Sequence, residues 1–275
     1  MPNRVGPSSV NWLSHKPTES GPARFESKGK LKLKVDEASD VVALPGGRFA
    51  IVGDRSDAVH LTEGDKMIAK FHLPDLKNGK SFLEGVTFDP RRNHLFVARE
   101  DKAELLRYEW DPSKNDPPRL EKSFKLDGSG SNNKGIEGLA YLPENLSPTG
   151  KAQLVIAKEG NPRSITLRDD GGGGKDLKVD LEDQVKSVCK DFSAVAVDPK
   201  TGHLFISSDE ASTVAQVKLV RDGKDKVKGK LVQSFPLRDK NGDSLKRVEG
   251  LTFDAKGNLY VLTENDGDLH KLERK

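Results

Sequence analysis

Cysteine is almost absent. Cys189 stands alone among 275 residues, so no intrachain disulfide can form. Its place ahead of an apolar run reads as a half-buried, inert thiol rather than a nucleophile. Aromatic residues make up only 6% of the chain, a supply that suits a core spread over many thin sheet-to-sheet contacts. No apolar stretch approaches the length of a membrane span. An excess of one charge is missing too: 46 basic and 43 acidic side chains leave +3, which argues against a dedicated nucleic-acid binder. The Lys-rich stretch from Arg221 to Lys230 reads as a solvated turn and edge strand, where lysines block pairing with other sheets. Catalytic signatures are lacking as well. There is no Gly-x-Ser-x-Gly and no His-Glu-x-x-His, and the run Gly171 to Gly174 with Lys175 is followed by Asp176, so the phosphate-loop pattern fails. Long helical periodicity does not occur, whereas period-two alternation does.

What the chain does have is a repeat. Glu84-Gly85-Val86-Thr87-Phe88, Glu137-Gly138-Leu139-Ala140-Tyr141 and Glu249-Gly250-Leu251-Thr252-Phe253 share one phrase. After a turn, each leads to a second apolar run that ends on an acid: Glu100, Glu159 and Glu264. Two weaker copies start at Asp40 and Ser193 and end at Asp54 and Asp209. Successive starts are 44, 53, 56 and 56 residues apart, which is the spacing of propeller blades made of short strands. The 26 glycines and 15 prolines supply the turns. The expectation is an all-β, five-bladed β-propeller over residues 29–275, with six blades as the alternative. The last unit stops after its third strand, so Lys30 to Val35, a spare alternating run, is expected to supply the fourth and close the ring. Residues 1–28 read as a flexible tail rich in proline, without the apolar run of an export signal. A monomer is expected.

The repeat also places carboxylates. In a propeller the first strand of each blade lines the central channel, and the second runs back beside it. The starts and ends of these runs therefore meet at one mouth. Asp40, Glu84, Glu137 and Glu249 would form an inner ring, with Asp54, Glu100, Glu159, Asp209 and Glu264 outside it. Two like charges 4 Å apart repel by about 1 kcal/mol in water and about 4 kcal/mol at an effective dielectric of 20. Raised pKa values, nearby cations (Arg99, Lys134, Lys158, Arg247) or a bound ion can relieve that repulsion. An all-oxygen donor set suits calcium better than zinc, which favours His and Cys. His94 and His203 begin second strands at the opposite mouth. The plainer alternative is that the outer acids are merely solvated and that the Glu-Gly steps bond to neighbouring backbone.

The wording of the units resembles the SdiA-regulated (YjiK-like) bacterial family, distantly kin to NHL-repeat and gluconolactonase-like propellers. The resemblance lies in Asn133-Lys134-Gly135-Ile136-Glu137-Gly138-Leu139, Lys158-Glu159-Gly160-Asn161-Pro162-Arg163, Asp191-Phe192-Ser193-Ala194 with Ser208-Asp209-Glu210, and Glu249 to Asp254. It implies a five-bladed propeller with a calcium site, and a periplasmic or cell-envelope setting that the N-terminus of this chain does not announce. It implies no established activity. The expected metal ligands are Glu84, Glu137, Glu249, Glu159, Asp209, Glu100 and Asp40, with Lys158, Asn161 and Arg163 contacting a ligand. Three functions compete: a calcium-binding propeller that takes a small molecule or protein partner at its acidic mouth, a calcium-dependent hydrolase of a lactone or phosphoester with Glu137 or Glu159 as base, and an interaction scaffold with a structural ion.

Overall fold

Alternating apolar residues become strands along the whole of the described chain, which in this computed structural model comprises residues 21–73, 76, 81–126, 135–159, 162–171, 173, 175–264 and 267–275. After β1 (Phe25–Lys32), the strands β2 (Ala38–Leu44), β3 (Arg48–Gly53), β4 (Ala58–Glu63) and β5 (Lys66–His72) form an antiparallel meander. A second meander comprises β6 (Leu83–Asp89), β7 (His94–Arg99), β8 (Glu104–Glu109) and β9 (Arg119–Lys125). The third has β10 (Ile136–Leu142), β11 (Gln153–Lys158), β12 (Ser164–Asp169) and β13 (Leu177–Leu181). A short helix, α1 (Asp183–Val188), leads to β14 (Ala194–Val197), β15 (Leu204–Ser208), β16 (Thr213–Arg221) and β17 (Val227–Pro236). The last strands are β18 (Val248–Phe253), β19 (Leu259–Thr263) and β20 (Asp268–Arg274).

Burial grades from the axis outward. The first strands are almost wholly covered, because both faces pack on neighbouring sheets, and they read as continuous apolar runs. The outer strands β5 and β9 alternate exposed and covered residues, so their sequences carry the lysines. The first strands pack on one another in a closed ring: β2 on β6, β6 on β10, β10 on β14, β14 on β18, and β18 back on β2. Apolar clusters fill the spaces between meanders. One joins Val42, Val59 and Leu61 to Val86, Phe88 and Trp110, and another joins Ala194 and Phe205 to Leu251 and Phe253. This is a β-propeller arrangement. Among the described residues, no helix is long and apolar enough to cross a membrane.

Three expectations change in detail. The strand that completes the last sheet is Phe25–Lys32, antiparallel to β20, rather than Lys30 to Val35. Its start is fixed by Phe25, whose ring packs on Phe205, Phe235 and Phe253 at 5.8, 5.8 and 6.2 Å. Its end is fixed by Lys34, whose left-handed backbone (φ 55°) turns the chain away. Next, β17 is not a free edge along its whole length: Val227 to Gly229 pairs in parallel with Val179 to Leu181 of β13, which joins two meanders into one eight-stranded sheet. Finally, Cys189 is wholly rather than half buried, because α1 folds Val185 beside it against Phe192. Burial pushes its thiol up to about 12, so it remains protonated and inert.

A shared irregularity controls the axial end of each unit. The ladder slips by one residue between Ala38 and Asp40, Leu83 and Gly85, Ile136 and Gly138, and Val248 and Gly250. The bulged residues are Ser39, Glu84, Glu137 and Glu249. A bulge re-aims a side chain out of the pleat, which is how these glutamates leave the sheet. The residue after each bulge faces the next first strand at close quarters. A Cβ on Gly138 would lie 2.8 Å from the Val195 nitrogen and 3.0 Å from Ala194 Cα, and one on Gly85 would lie 2.9 Å from Leu139 Cβ. Glycine follows glutamate because the strands converge there. Gly138→Ala is therefore expected to destabilise the fold by about 1–3 kcal/mol, read as a lowered urea midpoint at unchanged slope. A midpoint equal to that of the parent would mean the strands can move apart freely.

Candidate functional site

The entry and exit of each strand pair are tied together by one contact made three times. Asp54 N–H donates to Glu37 C=O at 3.1 Å, Glu100 N–H to Phe82 C=O at 2.9 Å, and Glu264 N–H to Arg247 C=O at 3.0 Å. The accepting residues all have left-handed backbones, with φ of 47, 46 and 54°. Each stands two places before a bulge. The contact brings the acid that ends a second strand to the start of the first strand, so both sets of carboxylates face one mouth of the channel.

The outer acids also reach across to the following meander. The Glu100 carboxylate accepts the Gly135 N–H, and a Cβ on Gly135 would run into the Glu100 side chain. Asp209 Oδ1 accepts the Val248 N–H at 3.0 Å. Glu264 pairs with Arg247. Asp54 Oδ1 is buried and has no hydrogen-bond partner among the described residues. Glu159 is half-buried, and its charge acts on both Glu100 and Glu137. The three bulged glutamates are half-buried and feel one another. Burial, followed by the charges of Glu137, Asp54 and Glu100, pushes Glu84 up to about 9. Burial, followed by Glu100, Glu159, Glu249 and Asp191, pushes Glu137 up to about 8. Glu249 rises to about 7 through burial, Glu264 and Asp209, against the pull of Arg247. Glu100 is raised as well, chiefly by burial.

Asp40 stands elsewhere. Its ladder partner is Val52, and the bulged residue of its strand is Ser39. The true counterpart of the glutamates is thus Ser39, and Asp40 occupies the glycine position. Its carboxylate is buried along the axis, one step below the mouth, and accepts the N–H groups of Val41 at 2.8 Å and Val86 at 2.9 Å, and that of Leu139. Below it the channel is apolar: a cavity of about 90 Å3 is lined by Val41, Val86, Leu139, Val195 and Leu251, among others.

Asp191 is an acid of the mouth that the repeat phrase does not announce. It sits two places before Ser193, the position held elsewhere by Glu37, Phe82 and Arg247. It bonds to the Ser208 hydroxyl and to the N–H groups of Asp209 and Glu210, and its charge raises both Glu137 and Glu249. Aligning the units on their entry residues would have exposed it.

Of the expected compensating cations, Arg247 faces Glu264. Arg99 instead turns outward to Asp101 at 3.2 Å and Glu104 at 3.7 Å. Lys158 ends β11 opposite Ile136 and Ser164, half-buried. Arg163 donates to Lys186 C=O at 3.3 Å and stacks over Phe192 at 5.6 Å. Asn161 and Lys134 lie outside the described residues. His94 and His203 are engaged away from this mouth, with Glu121 at 3.3 Å and Gln216 at 2.8 Å.

The oxygen-only donor set suits a hard cation, and the unpartnered Asp54 oxygen is free to serve one. No group of three or more His, Cys, Asp or Glu side chains is collapsed into a ligand shell among the described residues. Direct coordination would require the glutamates to swing toward the axis, or water to bridge them.

Sheets packed around an acidic axial mouth define the class of protein: a β-propeller with a one-sided polar opening. The SdiA-regulated family profile matches residues 48–266, and the chain belongs to that family. Solved structures share the fold at low identity. Glutaminyl cyclase of Myxococcus xanthus superposes with a TM-score of 0.58 at 13% identity, over 92% of this chain and 98% of that one. A protein assigned as a gluconolactonase gives 0.54 at 15%, over 91% and 82%. Aldose sugar dehydrogenase of Streptomyces coelicolor, in its PQQ-bound form, gives 0.53 at 12%, over 93% and 100%.

The crowding has a pH signature. Glu84, Glu137 and Glu249 bind protons more tightly folded than unfolded, so between the ordinary glutamate pKa and about 9 the native state holds more protons. Stability should therefore fall as pH rises through that window. Urea unfolding from pH 5 to 9 in chelator is expected to show this decline, and Glu84→Gln with Glu137→Gln should flatten it. A profile that is level or rising in the parent would contradict the crowding.

Proposed function

We propose that the chain is a five-bladed propeller whose acidic mouth binds calcium and, beside it, a small ligand or partner. The blade count is supported by the ring of first strands, in which β2, β6, β10, β14 and β18 each touch the next, and by β1 completing the fourth place beside β20. The observation that carries the site is the triple bulge. Three glutamates leave their sheets at equivalent positions and face one opening; burial raises each of them, and beside it Glu137 raises Glu84 and Glu249 raises Glu137. A divalent cation offsets that repulsion more directly than solvent does.

Glu84, Glu137 and Glu249 would hold the ion, with Glu100, Glu159 and Asp209 on the surrounding ring. Asp40 is left out, because its carboxylate is buried below the mouth and already engaged by three N–H groups. Lys158 and Arg163, with Asn161, would meet an anionic part of the ligand. Bound calcium supplies positive charge that polarises an oxygen of whatever sits beside it. Glu159, on the surrounding ring and close enough for its charge to act on Glu100 and Glu137, stands where a general base beside the ion would be needed. That observation keeps a second reading open, the calcium-dependent hydrolysis of a lactone or phosphoester. A substrate panel of both classes, run with calcium and with chelator, separates it from pure binding.

Calcium at about 100 times its Kd should add about 2.7 kcal/mol of stability, seen as a higher melting temperature than in chelator. Glu137→Ala and Glu249→Ala should each abolish the shift. If both variants respond to calcium as the parent does, the glutamate mouth is not the ion site.

A further inference from the structure

Asp40 is the one acid of the first strands whose side chain turns to the axis rather than to the mouth. It is 1% exposed. Its two oxygens take N–H groups from three strands, Val41 on its own, Val86 on β6 and Leu139 on β10, although burial outweighs them and holds the carboxyl well above its ordinary pKa range. A fourth strand touches it, since a Cβ on Gly250 of β18 would lie 3.1 Å from Oδ1. The donors are equivalent by repeat: Val86 and Leu139 each follow the glycine of a Glu-Gly step, and Val41 follows Asp40 in the same place. First strands have only one neighbour in their own sheet, so their other edge presents bare N–H groups to the channel. Where several such groups converge they form an anion-binding concavity, as in backbone nests.

We propose that this cluster of three backbone N–H groups is a site for a small carboxyl group, and that Asp40 is its built-in occupant. The repeat itself provides the variant that empties it. Gly85, Gly138 and Gly250 hold the equivalent position in other units, so Asp40→Gly installs the chain's own consensus residue and leaves the donors in place. Formate carries the same two oxygens and fits a space the size of the lost carboxylate. The site lies on the axis below the glutamates and needs no metal, so it stands or falls apart from the calcium reading.

The test compares melting of the parent, Asp40→Gly and Asp40→Asn in chelator, with sodium formate titrated against sodium chloride at matched ionic strength. Asp40→Gly should melt roughly 3–8 °C below the parent in chloride. Formate should recover at least half of that loss in a saturable way. The parent, and Asp40→Asn with its amide still filling the site, should show no response beyond that to chloride. Asp40→Gly melting like the parent in chloride, or gaining no more from formate than from chloride, overturns the proposal. Should Asp40→Gly fail to fold under native conditions, the yield on dilution from urea is read instead. A formate-dependent gain over chloride supports the site, and equal yields overturn it.

Discussion

The convergence of first strands on the axis is the constraint from which the rest follows. At the position after each bulge the next backbone approaches so closely that a Cβ on Gly85 or Gly138 would sit inside normal contact distance of its neighbours. Glycine or alanine fills most of that ring, and the one large residue there, Asp40, fits because its carboxylate is taken up by backbone N–H groups on the axis. The bulge that accommodates the crowding also throws the preceding residue outward, and in three units that residue is glutamate. Strand packing and electrostatic strain at the mouth are thus two results of one geometry. The fold holds the carboxylates together chiefly through the apolar clusters between sheets, with help at the mouth from Arg247 and from the N–H groups that Glu100, Asp191 and Asp209 accept.

Much of this was legible in the sequence. The Glu-Gly phrase with its following acid marks first and second strands, and Phe88, Tyr141 and Phe253 keep the units in phase. The family could be read from the same residues. The phase of the first unit could not. Aligning acid with acid placed Asp40 beside Glu84, whereas the ladder aligns Ser39 with Glu84 and Asp40 with Gly85. A bulge adds one residue without changing the apolar pattern, so the slip is invisible to periodicity and decides which way a side chain points. Asp191 is less legible because entry residues do not share a residue type: Glu37, Phe82 and Arg247 meet the outer acid through their carbonyls, whereas Asp191 does so through its side chain. The sequence pattern favours the later position for the closing strand because Leu33 and Val35 alternate as well as Phe25 does, and only the aromatic cluster around Phe25 favours the earlier register.

The two ends of the channel differ in chemistry. Above Asp40 the glutamates, Asp191 and the outer acids make an opening suited to cations and to ligands carried by them. Below it Val41, Val86, Leu139, Val195 and Leu251 line an apolar space. Asp40, held by backbone donors from three strands, lies between the two. Under the proposed reading, a ligand at the acidic mouth would be met by rim residues such as Lys158, Arg163 and the exposed Phe82. Rim residues differ between units while the strands beneath them repeat, as expected when a constant scaffold carries a variable binding surface.

The central claim is that the bulged glutamates share a single cation on the axis. A crystal structure from calcium-containing solution, with anomalous scattering used to locate the ion, tests it most directly. The account predicts one ion at the acidic mouth, with carboxylate oxygens of Glu84, Glu137 or Glu249 at about 2.3–2.6 Å or one water further away. An empty mouth with those three side chains pointing apart into solvent, at saturating calcium, would contradict it.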